Sequence, residues 1–257
     1  METRRSERIK KLALALKKAD KLHLKDAAQL LGVSEMTVRR DLNVKSSAVV
    51  LLGGYVVGDL KSNNVTNYFV SEQQSKHVEE KQAAGELAAR LIDHGDTVFF
   101  DCGTTTPFII DAIPDNLSFT AICYSLNTFR ALQGKSASKV ILCGGQFHPD
   151  NAIFTPLSQC NELDNICPNK AFISAAGIDL NAGATCFNFA ELSMKQRALA
   201  MSQRAILVLD SSKFGKIKSA CIGPLTLFDT LISDRAPPAE YIRYFNNNGI
   251  LFLHADG

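Results

Sequence analysis

Four short polar segments of this 257-residue chain have the composition of loops that bind anions. They lie at residues 101–106, 124–127, 143–145 and 210–215, and each directly follows an apolar run. Glycine lets the backbone approach a ligand closely, hydroxyl groups donate hydrogen bonds, and the start of a following helix presents free N–H groups. One such loop is usually an ordinary turn, whereas four of them favour a ligand site.

The residues of these loops that we expect to contact a ligand are Asp101, Gly103, Thr104, Thr105, Thr106, Ser125, Asn127, Gly144, Gly145 and Lys213. Lys213 would supply a fixed positive charge for a phosphate, although an exposed surface lysine is the alternative interpretation. The sequence has no Walker or GxGxxG pattern, which argues against nucleoside triphosphates and dinucleotides as ligands. The five histidines and seven cysteines form no metal-ligand pair at the usual spacing, so we expect neither a metal ion nor a cofactor.

Apolar runs of strand length alternate with helical segments through the larger part of the chain, and four of the runs end where the polar loops begin. The predicted strands are 97–100, 119–123, 140–142, 171–174, 206–209, 230–232 and 250–253, and the predicted helices are 72–92, 107–113, 126–132, 190–203 and 239–247. This alternation predicts a parallel sheet covered on both faces. Because ligands of such sheets bind beyond the carboxyl ends of the strands, the sheet would bring the loops to one edge.

The first 45 residues have the charge of a module that meets a polyanion. They hold twelve Lys and Arg against six Asp and Glu, whereas the remaining residues hold sixteen against twenty. A basic head on a slightly acidic body indicates that only the head contacts nucleic acid. A lysine-rich, solvated helix is the alternative that charge alone leaves open.

The spacing within this head predicts a helix-turn-helix pair. Helices are expected at 7–19, 24–31 and 35–42, with apolar residues at helical spacing. A small residue at Ala28, a glycine at Gly32 and a β-branched residue at Val38 fit the contact, the sharp turn and the return of the second helix. Ser34 is a good N-cap for the helix that follows.

The helix at 35–42 would enter the major groove with its N-terminal residues facing base edges. The expected DNA contacts are Ser34, Glu35, Met36, Thr37, Arg39 and Arg40. Arginine can bind a phosphate or read guanine, but one of the two could instead pair with Asp41 or Glu35 and position the helix. Runs at 49–52 and 55–57 predict a wing, which we expect to pack more than it reads because it lacks Lys and Arg.

The string Leu-Leu-Gly-Val-Ser-Glu-Met-Thr-Val-Arg-Arg-Asp-Leu at residues 30–42, with Gly53 and Gly54 further on, resembles the signature of the DeoR family of bacterial repressors. The body also resembles that family, at Lys81, the polar loops, residues 176–179, Gly183, Glu191 and Lys195. The resemblance implies a C-terminal domain similar to ribose-5-phosphate isomerase, and a sugar phosphate that binds among the loops, with Lys81 among its contacts, and acts as inducer. It favours deoxyribose-5-phosphate, although nothing in the residues separates this compound from ribose-5-phosphate.

The resulting expectation is an α/β protein with an N-terminal winged helix-turn-helix domain at 1–57, a linker at 58–75 and a sugar-phosphate effector-binding domain at 76–257. Isomerisation would need a carboxylate to move a proton, and the segment 174–178 lacks the three acids that the isomerases carry in their Asp-Gly-Ala-Asp-Glu stretch. We therefore expect a binding site without catalysis. An active isomerase fused to a DNA-binding head is the alternative.

The expected partners are double-stranded operator DNA, a sugar-phosphate effector and further copies of the chain, since a two-fold operator needs at least a dimer. No apolar run approaches the roughly 20 residues needed to span a bilayer, and the first residues lack the apolar region of a signal peptide. We expect a cytoplasmic protein with reduced cysteines, most of them small core side chains.

Overall fold

The structure, a computed structural model, describes residues 4–16, 22–42, 49–52, 54–58, 76–149, 151–158 and 161–255. The chain divides into two compact units, Met1–Phe69 and Val70–Gly257. Residues 59–75 of the predicted linker lie outside the described residues, so the predicted domain boundaries stay predictions.

The first unit contains the three predicted helices and the predicted wing. Its elements are α1 (Arg4–Leu16), β1 (Leu22–His23), α2 (Leu24–Leu31), α3 (Glu35–Leu42), β2 (Val49–Leu52) and β3 (Tyr55–Gly58). The strands form an antiparallel sheet in the order β1-β3-β2. Gly32 links α2 to α3 in the left-handed conformation, with φ of 65°, as the predicted turn requires. Helix α1 begins three residues earlier than predicted, and residues 17–19 lie outside the described residues.

The second unit is built from strands and helices that follow the predicted alternation. Its helices are α4 (Val78–Ala89), α5 (Thr106–Ala112), α6 (Leu126–Leu132), α7 (Leu192–Met201) and α8 (Ala239–Asn247). Its strands are β4 (Thr97–Phe100), β5 (Thr120–Cys123), β6 (Lys139–Leu142), β7 (Gln146–His148), β8 (Ile153–Thr155), β9 (Lys170–Ser174), β10 (Gly177–Asp179), β11 (Gly183–Cys186), β12 (Arg204–Val208), β13 (Ala220–Gly223), β14 (Thr230–Ser233) and β15 (Leu251–His254).

Seven of these strands form the predicted parallel sheet, in the order β15-β14-β12-β9-β4-β5-β6. The chain enters at β4, runs outward through β5 to β6, and then returns to β9 on the other side of β4. The strand order therefore reverses between β4 and β9, which is the position where open α/β sheets bind ligands. Successive residues of β4 belong to different cores: Phe99 packs in one apolar cluster, and Val98 and Phe100 in the other. Both faces are covered, as predicted.

The sequence patterns missed two smaller antiparallel features, the hairpin β7–β8 and the sheet β10-β11-β13. Their strands have three or four residues each, too few for an alternating pattern to be recognised. The helix predicted at 72–92 spans Val78–Ala89, where His77 precedes it with φ of 54°. Residues 72–75 lie outside the described residues.

Three observations concern the function classes considered above. Within the described ranges, no helix is long and apolar enough to cross a membrane. In the same part of the chain, no group of three or more His, Cys, Asp or Glu residues is arranged to hold a metal ion. Cys123, Cys143 and Cys186 are buried as small core side chains, whereas Cys167 and Cys221 are exposed.

Candidate DNA-binding and effector sites

The start of α3 is fixed by two of the residues predicted to contact DNA. The Ser34 Oγ accepts a hydrogen bond from the Thr37 backbone N–H at 3.2 Å and lies 2.9 Å from the Thr37 Oγ1. Ser34 is thus the N-cap that the sequence predicts, and its hydroxyl and that of Thr37 bind each other. These two residues define where the helix begins.

The other four residues predicted to contact DNA form the exposed side of α3. Glu35, Arg39 and Arg40 are exposed, and the Met36 side chain is 74% exposed. At 100° per residue these four positions fall within an arc of about 140°, and the buried Val38, Asp41 and Leu42 fall outside that arc. A protruding methionine between charged side chains has the chemistry to contact a thymine methyl group, and the arginines can bind guanine or phosphate.

Asp41, offered above as a pairing partner for Arg39 or Arg40, belongs to a different ion pair. The Arg8 Nε lies 2.6 Å from the Asp41 Oδ2, and the Arg5 Nε donates a hydrogen bond of 3.0 Å to the Asp41 carbonyl oxygen. Within the described residues, neither Arg39 nor Arg40 forms an ion pair. The alternative in which one of them is bound to Asp41 or Glu35 is therefore wrong for this structure.

The wing is packed against the head, as the absence of basic residues predicts. Val49 on β2 and Val56 on β3 are buried in the core of the first unit. The ring of Tyr55 meets the ring of His23 edge-on, with centroids 5.2 Å apart. The structure therefore shows that the wing packs. That it contributes little to reading DNA stays a prediction.

The candidate effector site lies where the strand order reverses, between the ends of β4 and β9. Gly103 follows β4 and passes so close to Ser174, the last residue of β9, that an added Cβ would stand 2.1 Å from the Ser174 Oγ. Asp101 is fully buried between them. Its Oδ1 accepts from the Tyr124 hydroxyl at 2.7 Å, and its Oδ2 accepts from the Ser174 N–H at 2.8 Å and hydroxyl at 2.5 Å.

Lys195, on α7, completes this buried cluster. Its Nζ forms an ion pair with the Asp101 Oδ2, donates to the Ser174 carbonyl oxygen at 3.0 Å and lies 3.5 Å from the Glu191 Oε2. Burial opposes the charge of both partners, but their mutual attraction outweighs it and lowers the pKa of Asp101 while it raises the pKa of Lys195. With both oxygens occupied, Asp101 fits a role in holding the strand ends together better than direct contact with a ligand.

The remaining residues of the loop after β4 differ in their access to solvent. Gly103 and Thr104 are partly exposed, whereas Thr105 and Thr106 are buried. Helix α5 begins at Thr106, and no side-chain hydrogen bond from its N-cap Thr105 satisfies the first turn. The backbone at Gly103 and Thr104 is therefore the part of this loop that can meet a ligand.

The loops after β5 and β6 are similarly divided. Ser125 is fully buried and caps α6, since its Oγ accepts from the Thr128 N–H at 3.5 Å. Asn127 is partly exposed. Gly145, with φ of 128°, starts the hairpin β7–β8, and an added Cβ there would lie 2.0 Å from the Thr155 carbonyl oxygen. Gly144 has open space beside it.

The loop after β12 brings two predicted lysines to the same place. The Lys213 Nζ lies 3.6 Å from the Oδ2 of the buried Asp210. Lys81 on α4 is buried, and its Nζ donates to the Lys76 carbonyl oxygen at 2.7 Å. Burial lowers the pKa of Lys81 to about 8; the Asp210 charge opposes this shift, and the Lys213 charge adds to it. Glu80 also raises the pKa of Lys81, so two lysines and two carboxylates interact at this corner, where both lysines could face an anion.

The sequence analysis missed several side chains that build the site. Tyr124 lies in one of the four polar loops and Ser174 in the segment 174–178, but neither was among the expected contacts, because their importance comes from partners on other strands. Glu191 and Lys195 were noted only for the family resemblance. Glu191 also accepts a hydrogen bond of 3.2 Å from the Asn151 Nδ2, which joins the hairpin β7–β8 to the buried cluster.

An open groove of about 810 Å³ lies beside this hairpin, and none of the predicted residues lines it. Its lining is His148, Thr155, Pro156, Leu157, Ser158, Phe189, Ala190, Ser193 and Arg197. Side chains such as Leu157 and Phe189 are exposed there, so the groove is partly apolar. It is separate from the strand ends described above.

A winged helix-turn-helix head and a parallel α/β unit with a basic corner at its strand ends define a DNA-binding regulator with a ligand-sensing domain. Residues 8–59 match the family described as "DeoR-like helix-turn-helix domain", and residues 76–235 match "DeoR C terminal sensor domain". The chain belongs to the DeoR family of transcription regulators.

Known proteins similar to this chain include regulators that match most of its length. The deoxyribose operon repressor of Escherichia coli strain K12 is 54% identical over 254 residues, which cover 99% of this chain and 100% of that protein. The full-length sorbitol operon regulator SorC of Klebsiella pneumoniae has a TM-score of 0.43 and 14% identity, covering 91% of this chain and 97% of that one. Ribose 5-phosphate isomerase A of Methanocaldococcus jannaschii has a TM-score of 0.41 and 13% identity, covering 54% and 55%.

Proposed function

We propose that the protein is a transcriptional repressor of an operon for deoxyribose or deoxynucleoside breakdown, released from its operator by a sugar phosphate. One observation supports the binding of a sugar phosphate: Lys81 and Lys213 both interact with Asp210 at the carboxyl edge of the sheet. The name of the relative with 54% identity favours deoxyribose-5-phosphate as the effector.

The repressor would act on operator DNA in the cytoplasm through the exposed side of α3. Glu35, Met36, Arg39 and Arg40 contact the DNA in this proposal, while Ser34 and Thr37 set the start of the helix and bind at most the backbone of the DNA. A two-fold operator needs two heads at a fixed spacing, so the active form is a homo-oligomer.

The effector would lie along the strand ends, with its phosphate beside Lys81 and Lys213 and its hydroxyl groups toward the backbone of Gly103 and Thr104. Asn127 and Gly144 follow β5 and β6, which lie one and two strands further from β12, so they would border the site without contacting a pentose phosphate. The other predicted contacts would support the conformation of the loops without touching the effector. They are Asp101, Thr105, Thr106, Ser125 and Gly145.

The phosphate corner is attached to helix α4. The Ser211 N–H donates to the Asp234 Oδ1 at 2.5 Å, and the Arg235 Nη2 lies 3.9 Å from the Glu80 Oε1 on α4. Lys81 also lies on α4, which is the first described element after residue 58. An anion that rearranges this corner would shift α4, and it releases DNA only if it binds the two arrangements with different affinities.

The proposed effector can be tested by release of the protein from operator DNA. A labelled duplex, selected by the protein from a random library, is titrated with deoxyribose-5-phosphate, ribose-5-phosphate and inorganic phosphate. We expect deoxyribose-5-phosphate to release the DNA at the lowest concentration. Lys213→Ala should weaken release but leave DNA affinity unchanged, while Lys216→Ala, which alters an exposed lysine of the same loop, should release normally. Equal release from both variants would contradict the proposed phosphate site.

The isomerase alternative finds no support at Asp101, the carboxylate that follows β4. Proton transfer between two carbons needs a carboxylate with a free oxygen, and both oxygens of Asp101 are bound inside the protein. Incubation with ribose-5-phosphate and deoxyribose-5-phosphate should therefore give no ketose or other rearranged sugar. Measurable turnover would revive the alternative.

A further inference from the structure

The far end of α3 is attached to α1 by charged groups that lie within the head. Asp41 is the penultimate residue of α3 and is 4% exposed, which is unusual for a carboxylate. Arg8 binds its side chain at 2.6 Å, and Arg5 binds its backbone carbonyl oxygen at 3.0 Å. The two arginines are three residues apart on α1, so they lie on the same side of that helix.

The position of this carboxylate is unfavourable for α3 taken alone. The carboxyl end of a helix carries partial negative charge, and a further negative charge there is destabilising. A carboxylate on a helix that enters the major groove also faces the negative potential of DNA. Asp41 is tolerated because Arg8 neutralises it; the hydrogen bond to Asp41 raises the pKa of Arg8, although burial opposes this shift.

We propose that Arg5, Arg8 and Asp41 form a clamp that sets the angle at which α3 enters the major groove. The apolar contacts of Val38 and Leu42 attach α3 to the head but are not directional. A charge-assisted hydrogen bond at one end of the helix, opposite the cap at Ser34, supplies the missing direction. The inference rests on the proposed role of α3 as the recognition helix.

The clamp also changes the count of basic groups that meet DNA. Arg5 and Arg8 belong to the basic surplus of the head, yet their guanidinium groups are directed at Asp41. They are positioning residues in this proposal and not phosphate contacts, so their loss should leave the salt dependence of DNA binding unchanged.

The test compares Arg8→Ala and Asp41→Asn with wild type, using the full chain and two duplexes. One duplex is selected from a random library by the wild-type protein, and the other is its scrambled sequence; both are titrated over a series of salt concentrations. We expect affinity for the selected duplex to fall by about tenfold or more, while affinity for the scrambled duplex changes by less than about twofold. The matched control is Lys11→Ala, an exposed lysine on α1 without the clamp geometry.

A second variant keeps the test decisive if a single change unfolds the head. Arg8→Asp combined with Asp41→Arg reverses the pair and should restore preference for the selected duplex, which a phosphate contact by Arg8 would not allow. An equal loss on both duplexes, with a salt slope smaller by about one, would overturn the clamp. So would a reversed pair that folds without regaining that preference. Two further variants distinguish failure of the clamp from failure of the proposed role of α3. If Arg39→Ala and Arg40→Ala both bind the selected duplex normally, α3 is not the recognition helix.

Discussion

Two buried charges in the sensor unit differ in how they are compensated. Asp101 has an ion pair with Lys195 and three hydrogen bonds, so its charge is favourable where it lies. Lys81 donates to a backbone carbonyl oxygen, and burial still lowers its pKa to about 8. An anion beside Lys81 would favour its charged form, which makes Lys81 the group at the strand ends most responsive to a phosphate.

This difference predicts that effector binding depends on pH near 8. Lys81 loses its proton as the pH rises through about 8, well below the usual value of 10.5, so affinity for a sugar phosphate should fall between pH 7 and 9. Bound phosphate raises the pKa, so binding takes up protons in this range. Calorimetry in buffers of different ionisation enthalpy measures that uptake. Lys81→Met should abolish the proton uptake, whereas the control Lys216→Met should retain it. If proton uptake is unchanged in Lys81→Met, a group other than Lys81 takes up the proton.

The cysteines provide a second test at the level of single residues. Burial raises the pKa of Cys123, Cys143 and Cys186 to about 12, and it also raises the pKa of Cys102 well above its usual value. Because the thiolate is the reactive form, these four should resist alkylation at pH 8 in the native protein, whereas the exposed Cys167 and Cys221 react. Mass spectrometry of peptides after brief iodoacetamide treatment distinguishes them. Rapid labelling of Cys123 or Cys143 would mean that the sheet opens at that edge.

The arginines on α3 give the corresponding prediction for DNA. Arg39→Ala and Arg40→Ala should each weaken operator binding, by about 1–3 kcal/mol where the side chain reads a base. The melting temperature should stay near that of wild type, because both side chains are exposed and outside the ion pairs of the head. Band-shift titration and thermal unfolding measure the two effects. A large fall in melting temperature would point to a structural role instead.

At the level of elements, the contact between the ends of β4 and β9 decides whether the sensor can form. Gly103→Ala would place a Cβ 2.1 Å from the Ser174 Oγ and force apart the loop and the strand that share Asp101. Overpacking of this kind costs about 1–3 kcal/mol, and we also expect loss of effector response. Gly134→Ala is the matched control, since it lies outside the proposed site and an added Cβ there would meet only the Ala131 carbonyl oxygen, at 3.5 Å. Urea unfolding and effector titration on both variants check the prediction, and equal stability would contradict the tight contact.

The sequence predicted most elements because their signals are local. Gly32 in the left-handed conformation and Ser34 as an N-cap follow from neighbours in the chain, and both are observed. Strand bounds differ by one or two residues because the ends of a ladder depend on the partner strand. The hairpin β7–β8 escaped because its strands have three residues each and Phe147 faces solvent, so burial leaves no pattern there.

The candidate site was less predictable than the fold. Its loops were found because they follow apolar strands, yet the side chains that join them come from distant parts of the sequence. Asp101 and Lys195 are 94 residues apart, and no spacing rule connects them. Only the strand order brings them together, which is why the sequence offered Asp101 as a ligand contact and the structure surrounds it with protein groups.

For the whole molecule, sensing and DNA binding must affect each other equally. If a sugar phosphate lowers operator affinity by some factor, operator DNA must lower effector affinity by the same factor. A shift from almost all bound to almost all released needs about 10⁴-fold different effector affinity for the two arrangements. Calorimetric titration of deoxyribose-5-phosphate with and without saturating operator duplex measures the factor. Equal effector affinity in both titrations would exclude allosteric release.

The reversed strand order between β4 and β9 also has a consequence for the order of synthesis. The Ser174 N–H that binds Asp101 comes 73 residues later in the chain. A ribosome that has released β4, β5 and β6 has made three of the seven strands, and the Asp101 carboxylate then still lacks its partners Ser174 and Lys195. Residues that emerge first form the DNA-reading head, so a prematurely terminated chain would carry a reader with no means of being switched off.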